Sequence, residues 1–157
     1  MNDEFQYRYD LLKQEIDVVQ SGIRQYDGIL FTIKGWAVTI FSAFVFFAAD
    51  KHQPKFLIFC TISVVLFWLL DSTYRSIQRI YIRRYNEIEQ FLKSPEFSQA
   101  VKERDIKDFY IPNIGASFDV RGLKKYTDIL RVAFMFHNAL LYMVMLVLIA
   151  LLALVIK

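Results

Sequence analysis

Four residues place polar chemistry inside apolar surroundings: Lys34, Asp71, His137 and Asn138. Lys34 lies about five residues into a stretch that starts at Ile29, and Asp71 about fifteen residues past the start of another at Phe56. An ionisable side chain within a membrane-length apolar run is costly, so such groups face a bundle interior, pair with one another or line a water-filled path. A rise of 1.5 Å per residue, counted from the polar link between the two stretches, puts Lys34 and Asp71 level at about 22 Å. His137 and Asn138, in a third apolar stretch, come within about one further turn of that depth. The expectation is a polar layer near the inner leaflet, with Lys34 paired to Asp71 and His137 or Asn138 hydrogen-bonding close by. Such a layer either fixes helix register, with Lys34 snorkelling to the headgroups beside Trp36, or lines a gate or ion path.

Other catalytic arrangements are absent from the sequence. Two histidines and one cysteine, Cys60, leave no Ser/His/Asp grouping, no intrachain disulfide framework and no multi-cysteine metal cluster. No glycine-rich phosphate loop is present. Arg131 and His137 match the Arg-x(4-6)-His spacing of HEPN ribonucleases, but His137 falls in an apolar segment that RNA cannot reach. No enzyme, cofactor or metal site is expected.

The elements that must position the polar layer follow from composition. Of 157 residues, 55% are hydrophobic and mean hydropathy is +0.30, which favours a membrane class; a net charge of +3 is too small for a nucleic-acid protein. Three stretches lack strong polar interruption, Ile29 to Ala49, Phe56 to Leu70 and Val132 to Ile156, where a spanning helix needs ~20 residues. The second reaches that length if Asp71 to Arg75 lie in the interface with Arg75 snorkelling. The fold class is therefore all-α, an integral membrane protein with three transmembrane helices at 29–49, 56–75 and 132–156. The polar link 50–55, containing Pro54, makes the first two an antiparallel hairpin. The first ~28 residues lack the basic start and short apolar core of a signal peptide, so the mature chain is expected to begin at Met1.

Basic residues set the orientation. Arg75, Arg79, Arg83, Arg84, Lys93, Lys102, Arg104, Lys107, Arg121, Lys124, Lys125 and Arg131 all fall between the second and third spans, which makes that side and the N-terminus cytoplasmic and the C-terminus external. The juxtamembrane groups Arg75, Arg79, Arg83, Arg84 and Lys124, Lys125, Arg131 suit anionic lipid, at ~1 kcal/mol each, or a nucleotide, RNA or acidic protein ligand held between stalk and loop.

Phe5, Tyr9, Leu12, Ile16, Val19, Ile23, Tyr26, Leu30 and Ile33 alternate steps of four and three, a heptad seam running into the first span. One helix from about Asp3 to Ala49 is expected, softened at Gly22 or Gly28. A second seam, Tyr74, Ile77, Tyr81, Tyr85, Ile88 and Leu92, continues the second helix through 76–93. The seams either bury each other as a cytoplasmic stalk or pair copies of the chain. Ser94-Pro95-Glu96 is a helix start, giving a short helix to about Lys107. Asp108 to Gly122 should be irregular, and a third long helix begins near Leu123. The aromatics Phe41, Phe44, Phe46, Phe47, Phe134, Phe136 and Tyr142 read as lipid contact and helix packing.

Tyr26-Asp27-Gly28, then Ile33-Lys34-Gly35-Trp36-Ala37, with Phe67-Trp68-Leu69-Leu70-Asp71 leading into an aromatic, Arg-rich helix, resembles small bacterial membrane proteins of anti-phage defence loci. The likeness covers about Tyr26 to Leu92. It implies an inner-membrane effector that oligomerises and permeabilises or depolarises the membrane once a soluble sensor or defence protein signals infection. The competing expectation is an anchor or scaffold that holds a soluble partner without pore activity.

Overall fold

The computed structural model describes residues 3–51, 53–104 and 123–155. They form five helices: α1 (Asp3–Lys51), α2 (Lys55–Leu92), α3 (Pro95–Glu103), α4 (Leu123–Ala133) and α5 (Phe136–Val155). Among the described residues there is no strand. Three helices, α1, α2 and α5, are long and apolar enough to cross a membrane.

Helix α1 runs unbroken for 49 residues through both Gly22 and Gly28. Three hydroxyls of its apolar half are satisfied within the helix: Thr32, Thr39 and Ser42 donate to the carbonyls of Gly28, Gly35 and Val38 at 2.9, 3.0 and 2.9 Å. Internal donation of this kind lets a hydroxyl sit on a helix face that water does not reach.

The chain divides into two compact units. The first comprises 1–26 and 77–120. Its core is Leu12, Val19 and Ile88, with Ile16, Ile23, Tyr81, Tyr85, Phe91, Leu92 and Phe97 packed around them. Within this unit Leu12, Ile16, Val19 and Ile23 of α1 thus pack with Tyr81, Tyr85, Ile88 and Leu92 of α2. Ser94 caps α3, its hydroxyl accepting from Phe97 N–H at 3.2 Å, and the ring of Phe97 meets Phe91 edge-on at 5.4 Å. Its own backbone N–H, and then the Ser94 hydroxyl, hold the Glu96 carboxyl below its usual range. Helix α3 stops at Glu103 rather than near Lys107, because Arg104 takes a left-handed conformation (φ 53°) and returns its N–H to the carbonyl of Ala100. The irregular segment expected over Asp108 to Gly122 lies outside the described residues.

The second unit comprises 27–76 and 121–157. Its core joins Ala37 and Ala48 of α1, Leu57, Cys60 and Val64 of α2, and Tyr142, Met145 and Ile149 of α5. Small side chains at three of these positions let helices approach closely. The outer faces stay apolar, as at Phe31, Phe46, Ile58, Leu66, Leu148 and Leu151, in keeping with three helices long and apolar enough to cross a membrane.

One expectation is corrected here. The third long helix is two helices, because the chain turns at Phe134 and Met135. The turn is closed by Met135 N–H donating to Val132 O at 3.2 Å and by Met135 O accepting from Asn138 and Ala139 at 2.8 and 2.9 Å. The membrane-length segment accordingly starts at Phe136 rather than Val132.

The glycines of α1 provide a test of packing. A Cβ on Gly22 would lie 2.7 Å from Cδ1 and Cε1 of Tyr81, whereas nothing comes within 4 Å of one on Gly28. Overpacking costs about 1–3 kcal/mol, against a gain of about 1 kcal/mol from removing a helical glycine. Gly28→Ala should raise the unfolding temperature in detergent micelles and Gly22→Ala should lower it, while adding Tyr81→Leu to Gly22→Ala should recover the loss. Equal shifts for the two alanine variants would show that Tyr81 does not press on Gly22.

Candidate functional site

Asp71 has no exposed surface, and the Lys34 ammonium lies 2.6 Å from its Oδ2. A buried carboxylate stays ionised only beside an opposite charge. The two partners differ in access, since the Lys34 side chain is 27% exposed and that of Asp71 is 0% exposed. Lys34 approaches from the open side of the pair, and Asp71 forms its floor.

Next to Asp71 on α2, Ser72 is also fully buried. Its hydroxyl donates to the carbonyl of Trp68 at 2.6 Å and accepts from Asn138 Nδ2 at 3.0 Å. Because the single Ser72 proton is spent on Trp68, only the amide N–H₂ of Asn138 can face it, which fixes the amide and leaves Asn138 Oδ1 pointing elsewhere. Tyr142, one turn after Asn138 on the same face of α5, is fully buried and interacts with Asp71.

Trp68 ties this cluster to the turn between α4 and α5. Its indole Nε1 donates at 3.0 Å to the carbonyl of Ala133, the last residue of α4. Its ring stacks on Tyr142 at 6.1 Å and meets Phe134 edge-on at 5.4 Å. The turn frees a carbonyl, Trp68 takes it, and α5 restarts with Asn138 and Tyr142 turned inward.

Lys34 thus pairs with Asp71 and Asn138 bonds to Ser72 beside it, while His137 lies elsewhere. His137 is exposed, with its ring edge-on to Phe136 at 5.8 Å. Neighbouring residues of a helix project about 100° apart, so burying Asn138 and Tyr142 turns His137 outward. Of the aromatics read as lipid contact and helix packing, Tyr142 is buried, whereas Phe46, Phe47, Phe134 and Phe136 are exposed.

The basic residues do not form one cluster. Arg84 faces Glu15, with Nε 2.7 Å from Oε1, and reaches Glu87 at 3.1 Å. Burial opposes its charge, but the bonds from Glu15 and Glu87 prevail and hold the guanidinium above its ordinary range. Arg84 therefore belongs to the interior of the first unit rather than to a lipid-facing patch. It lies one turn from Tyr81 and Ile88, on the seam side of α2. Arg75 and Arg79 are half-buried, while Arg83 and Arg131 are exposed. The side chains of Lys124 and Lys125 lie outside the described residues. Of the seam, Leu12, Val19 and Leu30 are buried, and Ile16, Ile23 and Tyr26 are partly so.

Sequence reasoning missed Ser72, Trp68, Tyr142, Glu15 and Gln78. Gln78 is buried and donates to the carbonyl of Ile23 at 3.2 Å. A signal existed for some of them. Trp68 and Ser72, like Asn138 and Tyr142, are four apart, and Glu15 falls between Leu12 and Val19 at helical spacing.

Among the described residues no group of three His, Cys, Asp or Glu is placed to hold a metal ion. No family model, curated protein or solved structure matches the chain.

Removing one partner of a buried ion pair costs about 3–5 kcal/mol, because the other charge is left uncompensated, whereas replacing both with apolar groups is often close to neutral. Lys34→Met should therefore destabilise the protein by that order in chemical unfolding from micelles, and Lys34→Met with Asp71→Leu should restore most of the loss. A double variant as unstable as the sum of its parts would refute the coupling.

Proposed function

We propose that this chain is a bacterial inner-membrane effector. Helices α1, α2 and α5 cross the bilayer, and copies assemble to permeabilise or depolarise it when a cytoplasmic signal arrives, as in anti-phage defence. In this reading α1 and α2 form an antiparallel hairpin that continues into a cytoplasmic helical stalk. Running in opposite order along the two helices, the pairings Glu15 with Arg84 and Ile23 with Gln78, and separately Lys34 with Asp71 and Phe41 with Cys60, support that hairpin.

The observation that carries the reading is the buried Lys34–Asp71 pair, set between two unbroken helices that each have a polar half and an apolar half. A movement of the polar halves is delivered to the apolar halves by helices that do not break. The ionic layer is the place where a register shift changes the energy most, since separating buried charges is expensive. The resemblance of Tyr26 to Leu92 to effectors of defence loci points the same way.

Copies do not meet through Leu12, Ile16, Val19 and Ile23 in this reading, because those residues are covered inside the chain. Assembly runs through the outer apolar faces of α1, α2 and α5 instead. Lipids are the standing partner, and a separate soluble sensor or defence protein supplies the signal. Nucleic acid is not a direct ligand.

A second reading, an anchor or scaffold without pore activity, is favoured by one observation. The space among α1, α2 and α5 is filled by apolar side chains such as Leu57, Val64, Met145 and Ile149 rather than by a polar lining.

Membrane potential separates the two. In cells expressing the chain with its genomic neighbours, phage challenge should depolarise the membrane and arrest growth, and Asp71→Asn that still inserts should abolish the response. Sustained polarisation under every trigger would sink the effector in favour of the scaffold. Orientation has its own readout: a reporter fused after Lys157 should be active only outside the cytoplasm, and cytoplasmic activity would refute the three-span topology.

A further inference from the structure

The three long helices leave α4 without a role. It has 11 residues and carries Lys124, Lys125 and Arg131 against one acid, Asp128, so it is too short and too charged to cross a bilayer. Its level in the second unit is fixed at the break that follows it. The Ala133 carbonyl accepts from Trp68, and Asn138 at the start of α5 donates to Ser72; Trp68 and Ser72 lie one turn apart on α2, on either side of Asp71. The break therefore sits at the ionic layer, where the apolar stretch of α2 ends at Leu70 and polar residues begin.

The surroundings change around the axis of α4. Val132 and Ala133 are buried and Ile129 is half-buried, so one side is packed on the unit. Asp128 and Leu130 flank that side about 200° apart, and Arg131 lies between them on the outward side. All three are exposed. Phe134 N–H still donates to the Leu130 carbonyl at 3.2 Å, which keeps Phe134 on the Leu130 flank. Leu130, Phe134 and Phe136 are 52%, 70% and 72% exposed, and they lead into the outward apolar face of α5 at Leu140 and Val144. Water over the whole outward side would wet these apolar groups, and hydrocarbon over all of it would strip Asp128 and Arg131 of solvent. A medium that passes from apolar to polar across the width of one helix satisfies both flanks, and a bilayer interface is such a medium.

We propose that α4 is an interfacial helix that docks on an anionic phospholipid surface, with Leu130 and Phe134 among the acyl chains and Arg131 at the headgroup phosphates. The basic excess of the helix selects anionic over zwitterionic lipid. A soluble acidic partner would match Arg131 but leave Leu130, Phe134 and Phe136 in water. Trp36, exposed two residues beyond Lys34 on α1, adds an aromatic of the type that belongs at this boundary. The proposal takes from the reading above the membrane-crossing helices and not the effector activity, so an unchanged membrane potential leaves it standing.

Nitroxide labels on the full chain in lipid nanodiscs provide the test, placed through Asp128→Cys, Leu130→Cys and Val147→Cys one at a time. All three positions are exposed, and the thiol of Cys60 is buried. In discs of phosphatidylcholine with phosphatidylglycerol, the Leu130→Cys label should collide with dissolved oxygen in preference to a water-soluble nickel chelate, and the Asp128→Cys label should show the reverse. The oxygen preference of the Leu130→Cys label should be lost in phosphatidylcholine alone, and in mixed discs when Lys124→Gln, Lys125→Gln and Arg131→Gln are added. Equal nickel access for the two labels in mixed discs would overturn the proposal, as would an oxygen preference that survives removal of the anionic lipid. Protection of the Leu130→Cys label by polyglutamate or ATP in phosphatidylcholine discs would overturn it in favour of a soluble acidic ligand. The Val147→Cys label, on the exposed face of α5, reports on the span itself. Oxygen preference there with nickel access at the Leu130→Cys label sinks the interfacial helix alone, whereas nickel access at both removes the membrane-crossing α5 as well.

Discussion

A carboxylate without solvent access needs a counter-charge and hydrogen bonds from the protein around it, and Asp71 imposes that requirement on the second unit. Lys34 meets the charge requirement from α1; Ser72 adjoins Asp71 on α2, Asn138 bonds to Ser72, and Tyr142 interacts with Asp71 from α5. The turn at Phe134 and Met135 belongs to the same solution. Without it α5 would continue α4, and Trp68 would have no free carbonyl at Ala133 to hold. The ion pair, the indole bond and the inward face of α5 are three parts of one arrangement, in which apolar packing brings the helices together and the polar contacts choose their register.

The first unit reaches the same end with different residues. There Glu15 is buried and Arg84 is its partner, while Leu12, Val19 and Ile88 supply the apolar contact. In both units a buried acid of one sequence segment meets a less buried base of another, so that the charge with the shorter side chain is enclosed and the longer one reaches in. This division follows from chain length: Lys and Arg carry apolar stems that can cross a hydrophobic layer while the charged head keeps partial access to a polar medium. Ion pairs of this kind add little net stability compared with an apolar core, but they penalise a slipped register heavily.

Covering the seam inside one chain changes what remains for other molecules. The residues that looked most able to pair copies, Leu12, Ile16, Val19 and Ile23, face α2. What is left outward on the apolar halves of α1 and α2 and along α5 is mainly aromatic and aliphatic, with hydroxyls such as Thr39, Ser42 and Thr73 bonded back to their own helices. Hydroxyls bonded within their own helix are compatible with lipid and with a second apolar helix alike.

Much of the architecture was legible in residue order alone. Apolar runs of membrane length, the alternating steps of four and three from Phe5 to Ile33, and the capping triplet Ser94-Pro95-Glu96 determined α1, α2, the start of α3 and the apolar character of α5, because these signals are local and depend on one helix at a time. The depth of Lys34 and Asp71 was also countable, since rise per residue is constant. Which side chains of α5 turn inward was not. That depended on the break after Ala133, which leaves no mark in composition or hydropathy and arises where Trp68, 65 residues earlier in the chain, captures a carbonyl. Selecting Asn138 over His137, burying Tyr142 and pairing Arg84 with Glu15 are likewise decisions of tertiary structure, because helical phase and partner choice between helices are set by packing rather than by any one helix's own sequence.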